Sequence, residues 1–361
     1  MTTITQSDPV AQRSLEVLLQ GQADSGAFIA SPAFPVYRYA WLRDGAFCAH
    51  ALDRVGERRA AAAFHAWAGR SIEAHRELIE AAVGRVRTGE APPPEVMPPT
   101  RYTLDGGLES AEDEPWPNFQ IDGYGMWLWA LSGHLRGDAV PADLAPAVEL
   151  VARYLQAAWR LPCFDCWEEY GDGEHGSTLA AAAAGLDAAA RLTGERAWRD
   201  AADRIRDELL ARYTTSGHFR RGPTDDRVDG SLLWLGVPFG VLEPDDPRVK
   251  ATVDTVRREL SGPGGGIYRY RGDTYYGGGQ WLLLTSSLAW HDARTGNPEA
   301  AAEAQAWVRE QATATGDLPE QVTGHAQTPG MVQPWRERWG PVATPLLWSH
   351  AMYLIAEVET R

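Results

Sequence analysis

Residues 246–260 read DPRVKATVDTVRREL and residues 346–355 read LLWSHAMYLI. The contrast between these two helices decides the fold. In the first, Asp246 can cap and Pro247 has the fixed φ that suits the first helical position. Val249, Val253, Val256 and Leu260 then recur at i, i+4, i+7 and i+11, which puts them on one face. The second stretch is apolar nearly all round, so it must be buried on most sides.

Both kinds recur along the chain. Asn297-Pro298-Glu299 repeats the start signal before a helix carrying Trp307 and Val308, and Trp198, Ala201, Ile205 and Leu209 mark another one-faced helix. Leu179 to Leu192, rich in alanine, is nearly apolar all round. About twelve helices are predicted, starting near residues 9, 44, 58, 122, 141, 175, 196, 230, 247, 279, 298 and 343. Alternating polar-faced and buried helices suit hairpins stacked side by side. Six such hairpins close into an all-α (α/α)6 barrel. An open solenoid is the competing architecture, and the lack of a strict repeat argues against it. The expectation is one domain over residues 1–361, with residues 1–8 a loose tail. Strand signal is confined to a short hairpin around Gly266–Tyr270. Long loops at 90–121, 161–178, 215–230, 261–278 and 316–342 are rich in Gly, Pro, Trp and charge, and long ordered loops often carry function.

The formal charge of −15 argues against nucleic acid and anionic membrane surfaces, which repel an acidic chain. No segment approaches eighteen consecutive apolar residues, and MTTITQSDPVAQRSLEVLL does not read as a signal peptide, so a cytoplasmic setting is expected. A monomer or a homodimer is compatible with all of this. Three cysteines imply no disulfide framework, and Cys163-x-x-Cys166 lacks the two further ligands a zinc site needs. The Gly277–Gly279 run lacks the Lys-Ser/Thr of a phosphate loop. Fifteen tryptophans could be core or stacking platforms for sugar faces, and composition does not choose between these.

Five stretches could carry chemistry. In Asp165-Cys166-Trp167-Glu168-Glu169-Tyr170 a carboxyl stands beside an indole, which would strip its solvation, keep it protonated and suit it to general-acid work. The alternative is a solvated pair ahead of a helix. Glu320, after Pro319, is a lone carboxylate in a loop before a buried helix and says little alone. Arg43 and Asp44, side by side, can grip hydroxyls as donor and acceptor, the alternative being Asp44 as a helix cap. Trp116 to Gly123 reads as structural, with Asp122 as a cap. Arg269 to Tyr276 is polar and aromatic by turns.

In order, these stretches resemble glycoside hydrolase family 15, the family of the glucoamylase and isomaltose glucohydrolase types. Tyr37-x-Tyr39-x-Trp41-x-Arg43-Asp44 looks like its first motif. Trp116 to Gly123, Asp165 to Glu169, Arg269 to Tyr276, Glu320-Gln321 and Trp348-Ser349 are similar to the later ones. The resemblance spans roughly residues 13–357. It implies an (α/α)6 barrel, with no metal or organic cofactor, acting on small oligosaccharides with inversion. Glu168 would be the general acid and Glu320 the general base, their carboxyls about 6.5–9.5 Å apart. Tyr37 and Gln321 would position the water, with Tyr275 packed nearby. Arg43, Asp44, Glu169, Arg269 and the Trp167 backbone would hold glucose, and Trp41 and Trp116 would wall the pocket. The long 325–344 loop, with Trp335, would shape the aglycone side. The closing motif departs from the family pattern, reading Trp-Ser-His where Trp-Ser-Tyr is commoner. Isomaltose or α-1,6-linked glucosides are the expected substrates. A maltooligosaccharide glucoamylase, a trehalase or other (α/α)6 enzyme, and a non-catalytic sugar-binding protein are the alternatives.

Overall fold

The computed structural model describes residues 8–109 and 116–361. Thirteen α-helices occur among them: α1 (Pro9–Gln20), α2 (Leu42–Val55), α3 (Arg58–Ala74), α4 (Arg76–Arg87), α5 (Asp122–Leu135), α6 (Ala145–Ala158), α7 (Gly176–Thr193), α8 (Arg196–Arg212), α9 (Pro247–Leu260), α10 (Leu282–Arg294), α11 (Pro298–Glu310), α12 (Val332–Trp339) and α13 (Leu347–Glu359). A six-residue 3-10 segment, Gly230–Leu235, lies between α8 and α9.

An inner ring closes on itself. α2 packs on α5, α5 on α7, α7 on the 3-10 segment, that segment on α10, α10 on α13, and α13 on α2. Outside it, α1, α3, α6, α8, α9 and α11 alternate along the chain with the inner elements and lie against them. This is the (α/α)6 arrangement expected from alternating helix types. α7 and α13 are buried along almost their whole length, whereas α8 and α9 bury one stripe, as their patterns require. Phe47, Trp234 and Trp348 meet at ring distances of 5.6–6.0 Å and fill the barrel interior with aromatic side chains.

Several expectations need correction. The helix expected from 230 is only the short 3-10 segment, because Gly236 and Pro238 deny it the following turns. α4 continues α3 after a break at His75, whose ψ of 22° is not helical. α12 lies inside what read as loop; its Pro334 falls in the first turn, where proline is tolerated. Neither was foreseen. α2 starts at Leu42, so Asp44 sits in its first turn and Trp41 takes the cap position. Asp122 is likewise the first residue of α5, not its cap. Residues 1–7 of the expected tail lie outside the described residues. Asp8 is not loose: it caps α1 through Val10 and Ala11 N–H at 3.0 and 3.1 Å and accepts from the Tyr353 hydroxyl at 2.7 Å.

The strands are short and position loops. Ile267–Tyr268, Gln280–Trp281 and Gln321–Val322 form one antiparallel sheet, which joins the segments on either side of Arg269, Trp281 and Glu320. Cys48, Cys163 and Cys166 are buried free thiols. Among the described residues no helix is long and apolar enough to cross a membrane.

α5 and α7 cross in backbone contact. A Cβ on Gly185 would stand 2.5 Å from the Gly125 Cα, and a Cβ on Gly125 would stand 2.2 Å from the Ala181 carbonyl oxygen. No flexible side chain is there to give way. Gly185→Ala is therefore expected to lose about 1–3 kcal/mol by forcing two inner helices apart, read as a lower Tm and an earlier denaturation midpoint.

Candidate active site

A cavity of about 300 Å3 opens where the N-terminal ends of α2 and α13 meet the long loops. This is the small end of the range for ligand pockets. Tyr37, Trp41, Arg43, Asp44, Trp116, Trp167, Glu168, Glu169, Arg269, Tyr275, Glu320 and Trp335 all line it. Glu168 and Glu320, 152 residues apart in sequence, are thus brought to one cavity by closure of the barrel.

The loop bearing Glu168 is wound around Asp165. One Asp165 oxygen accepts the Trp167 and Glu169 N–H groups, both at 2.9 Å, and the other is paired with Arg221. Arg221 also lies 3.5 Å from Asp229. This tight winding holds Glu168 at φ 67° and Tyr170 at φ 54°, in the left-handed region that side-chain-bearing residues rarely occupy. It also decides which indole Glu168 meets. The Trp167 Nε1 donates to Asp229 at 3.0 and 3.1 Å, away from Glu168, so the expected indole contact is not made by Trp167. Trp41 makes it instead, donating Nε1–H to Glu168 Oε1 at 2.6 Å. Gln120 at 3.1 Å and Arg43 at 3.3 Å donate to the same oxygen. All three bonds fall on Oε1, and Oε2 has no hydrogen bond among the described residues.

Glu320 is held differently. Its Oε1 accepts from the Tyr37 hydroxyl at 3.1 Å, and Tyr37 is in turn 2.9 Å from the Tyr275 hydroxyl. Its Oε2 is buried with no hydrogen-bond partner among the described residues. Burial pushes the Glu320 carboxyl up to about 8, against the opposing pull of Arg269 and the Tyr37 hydroxyl. The backbone on either side is pinned. Leu318 N–H donates to His350 Nε2 at 2.9 Å, His350 Nδ1 meets Ser14 Oγ at 2.8 Å, and the Ser349 hydroxyl donates to the Pro319 carbonyl at 2.9 Å. The histidine that departs from the family pattern thus holds the loop of Glu320. Burial lowers its pKa to about 3, which keeps the ring neutral and able to accept.

Gln321 does not reach the cavity. Its amide oxygen accepts from Gly279 N–H at 2.7 Å and its nitrogen donates to the Tyr275 carbonyl at 3.2 Å. It fixes the loop behind Tyr275 and is not placed to orient water in the cavity, whereas Tyr37 lines it.

Charge and aromatic surface fill the rest. Arg43 contacts Gln120 at 2.6 Å, Asp122 at 3.2 Å and Asp44 at 3.4 Å. Burial raises the Asp44 carboxyl to about 7 although Arg43 opposes it. Arg269 binds Asp273 at 2.6 and 2.7 Å and Glu169 at 3.2 Å, and Tyr270 also holds Glu169. At the rim Trp116 stacks on Trp339 with ring centres 5.9 Å apart, and Trp335 meets Tyr275 at 5.1 Å. Gln120, Asp122, Asp165, Arg221, Asp229 and Asp273 were not foreseen as site residues. Trp281, Arg338, Trp339 and Trp348 also line the cavity. Position within a motif stretch is the one signal that could have marked Gln120, Asp122, Asp165, Asp273 and Trp348.

The proton held on buried Glu320 makes the stability of the fold depend on pH. Between the ordinary carboxylate value of 4.5 and about 8, the folded chain keeps a proton that the unfolded chain has lost. Native Glu320 therefore costs stability increasingly as pH rises through that window. Asp44 acts in the same direction. Glu320→Gln is expected to raise Tm by a few degrees near pH 8, with the gain vanishing below pH 4, as measured by thermal denaturation across pH.

The family described as glycosyl hydrolases family 15 matches residues 7–327. An isomaltose glucohydrolase of Kribbella flavida is 41% identical over 358 residues, 97% of this chain and 92% of that protein. A trehalase of Mycobacterium tuberculosis is 30% identical, but over 65% of this chain and 36% of its own length. The solved structure of a wild-type glycosidase superposes with a TM-score of 0.92 at 40% identity, covering 97% of this chain and 96% of that one. A bacterial glucoamylase complexed with acarbose shares the fold, with a TM-score of 0.75 at 20% identity over 98% of this chain and 55% of that one. This chain therefore belongs to glycosyl hydrolase family 15 and is a glycoside hydrolase built on an (α/α)6 barrel.

Proposed function

We propose that the whole chain acts as one catalytic unit, an inverting exo-α-glucosidase that releases β-glucose from the non-reducing end of short oligosaccharides, isomaltose first. The observation that carries this is the shared cavity of Glu168 and Glu320, which are bonded in unlike ways. The similarity to an isomaltose glucohydrolase supports the choice of substrate. The reading includes the cytoplasmic setting and the monomer or homodimer expected from the sequence.

In this mechanism Glu168 is held through Oε1 by Trp41, Gln120 and Arg43, leaving Oε2 to carry the proton it gives to the glycosidic oxygen. As that bond breaks, positive charge grows at the anomeric carbon and its ring oxygen. Glu320 takes a proton from water attacking the opposite face, and Tyr37 holds both Glu320 and the water in line. The products are β-glucose and the freed alcohol. Glu168 then regains a proton from solvent, and Glu320 returns one. Arg43, Asp44, Glu169 and Arg269 bind the glucose hydroxyls, and Trp41, Trp116 and Trp335 cover its apolar faces. The Trp167 backbone adds a further contact.

Proton NMR of isomaltose hydrolysis should show β-glucose first, with α-glucose appearing only by mutarotation. Glu168→Gln and Glu320→Gln should each lower kcat by about 10^2-fold or more, with far-UV circular dichroism unchanged. Initial α-glucose would defeat inversion, and preferred cleavage of trehalose would favour the trehalase alternative.

The base works only when ionised, and burial holds its proton. The acid limb of kcat/KM should therefore lie above the usual carboxylate range. Tyr37→Phe removes a donor that stabilises ionised Glu320, so it should move that limb to higher pH as well as lower kcat. A limb that stays in place would separate Tyr37 from Glu320.

A further inference from the structure

A second cluster lies away from the cavity. Asp53 near the end of α2, His65 in α3 and His134 near the end of α5 each offer one donor atom, and the three lie within 4.8 Å of one another. All three are buried. His134 Nδ1 is 2.9 Å from both Asp53 oxygens, so that pair is satisfied by itself. His65 is not. It is 1% exposed, its ring faces that of His134 at 5.0 Å between centres, and neither ring nitrogen has a hydrogen-bond partner among the described residues. A buried polar group left in this state costs free energy and calls for a partner.

We propose that Asp53, His65 and His134 form a binding site for a first-row divalent transition ion of the Zn2+ class. Two imidazoles and one carboxylate are the donors such an ion takes, whereas Ca2+ and Mg2+ prefer all-oxygen sets. Bonds of about 2.0–2.2 Å set donors ~3.3–3.5 Å apart, so His65 must draw in while the 2.9 Å hydrogen bond between His134 and Asp53 opens and gives way to the ion. Arg58 is the group that opposes the ion. Its Nη1 stands 3.7 Å from Asp53 Oδ1, and its Nη2 donates to the His134 carbonyl at 2.9 Å. Its side chain is 41% exposed, although Nη1 itself is buried. The ion would tie α2, α3 and α5 together. Asp53 lies nine residues beyond Asp44 on α2, or ~14 Å along the axis, so the site stands apart from the glycoside chemistry, and its three protein donors would leave the fourth position of the ion to water.

The test uses untagged full-length protein stripped with a chelator and titrated with Zn2+. One equivalent per chain should be retained through gel filtration, measured by elemental analysis, with a rise in Tm. His65→Gln and Asp53→Asn should each bind Zn2+ at least tenfold more weakly by calorimetry. Arg58→Ala, a partly exposed change that should leave the fold intact, should bind it several-fold more tightly. Glu168→Gln, which alters the cavity, should bind as the parent does. Failure to retain Zn2+ would overturn the proposal. Equal retention by the His65 and Asp53 variants, loss only in Glu168→Gln, or unchanged affinity in Arg58→Ala would also overturn it.

Discussion

The guanidinium of Arg43 is where barrel and site become one object. It sits in the first turn of α2 and reaches Gln120 and Asp122 at the start of α5, Asp44 on its own helix, and Glu168 in the loop before α7. Those segments are adjacent only because the inner ring closes. The group is 5% exposed and is bracketed by three carboxylates. Removing it would leave those carboxylates buried without their cation, which is far more damaging than losing a surface pair. The same charge that orients Glu168 therefore also fixes how α2 and α5 meet. Fold and site cannot be altered independently at this point.

Much of the site is unfavourable to the folded state by itself. Glu168 has a left-handed backbone, Glu320 keeps a buried oxygen with no partner among the described residues, and Asp44 and Glu320 are both driven toward their neutral forms. Compensation lies in what surrounds them. Asp165 supplies acceptors for the strained loop, Arg221 and Asp229 lock that loop from behind, and His350 with Ser349 clamps the loop of Glu320. Further out, the inner helices pack with small residues and aromatic plugs, as at Gly125, Gly185, Phe47 and Trp348. Such packing resists the relaxation that would let the carboxylates find water. Strain at the site and density in the barrel are thus complementary.

The helices were legible because their information is local. Pro247 after Asp246 and the valine stripe of α9 need no partner to be read, and the apolar run of α13 declares its own burial. What failed was set partly by a local stop signal and partly by tertiary context. The segment from Gly230 carries the composition of a buried helix, yet Gly236 and Pro238 stop it after six residues. α12 holds its tryptophans against Tyr275 and Trp116 across the rim, contacts invisible in a polar eight-residue stretch. Within the site, motif order singled out residues facing the cavity but not those behind them. Gln321 shows the limit: it adjoins Glu320 in sequence, but strand alternation turns it away to the Gly279 loop. Trp167 shows it again, since the left-handed turn at Glu168 sends neighbouring side chains in different directions.

The distribution of polarity in the cavity bears on which part of a substrate can enter. Its inner wall carries Arg43, Asp44, Glu169 and Arg269, whose charges are held by buried partners, while Phe47 and Trp234 pack behind Trp348 and occupy the barrel interior. Its mouth is aromatic, with Trp116 stacked on Trp339 and Trp335 beside it. A sugar ring that enters must give up water from all its hydroxyls at once, and only a terminal ring can present them all to the charged wall. An internal ring carries a glycosidic bond at each end, and a cavity of about 300 Å3 with a filled interior gives the second bond no way out. Exo action on short chains is thus favoured by the same aromatic packing that stabilises the barrel.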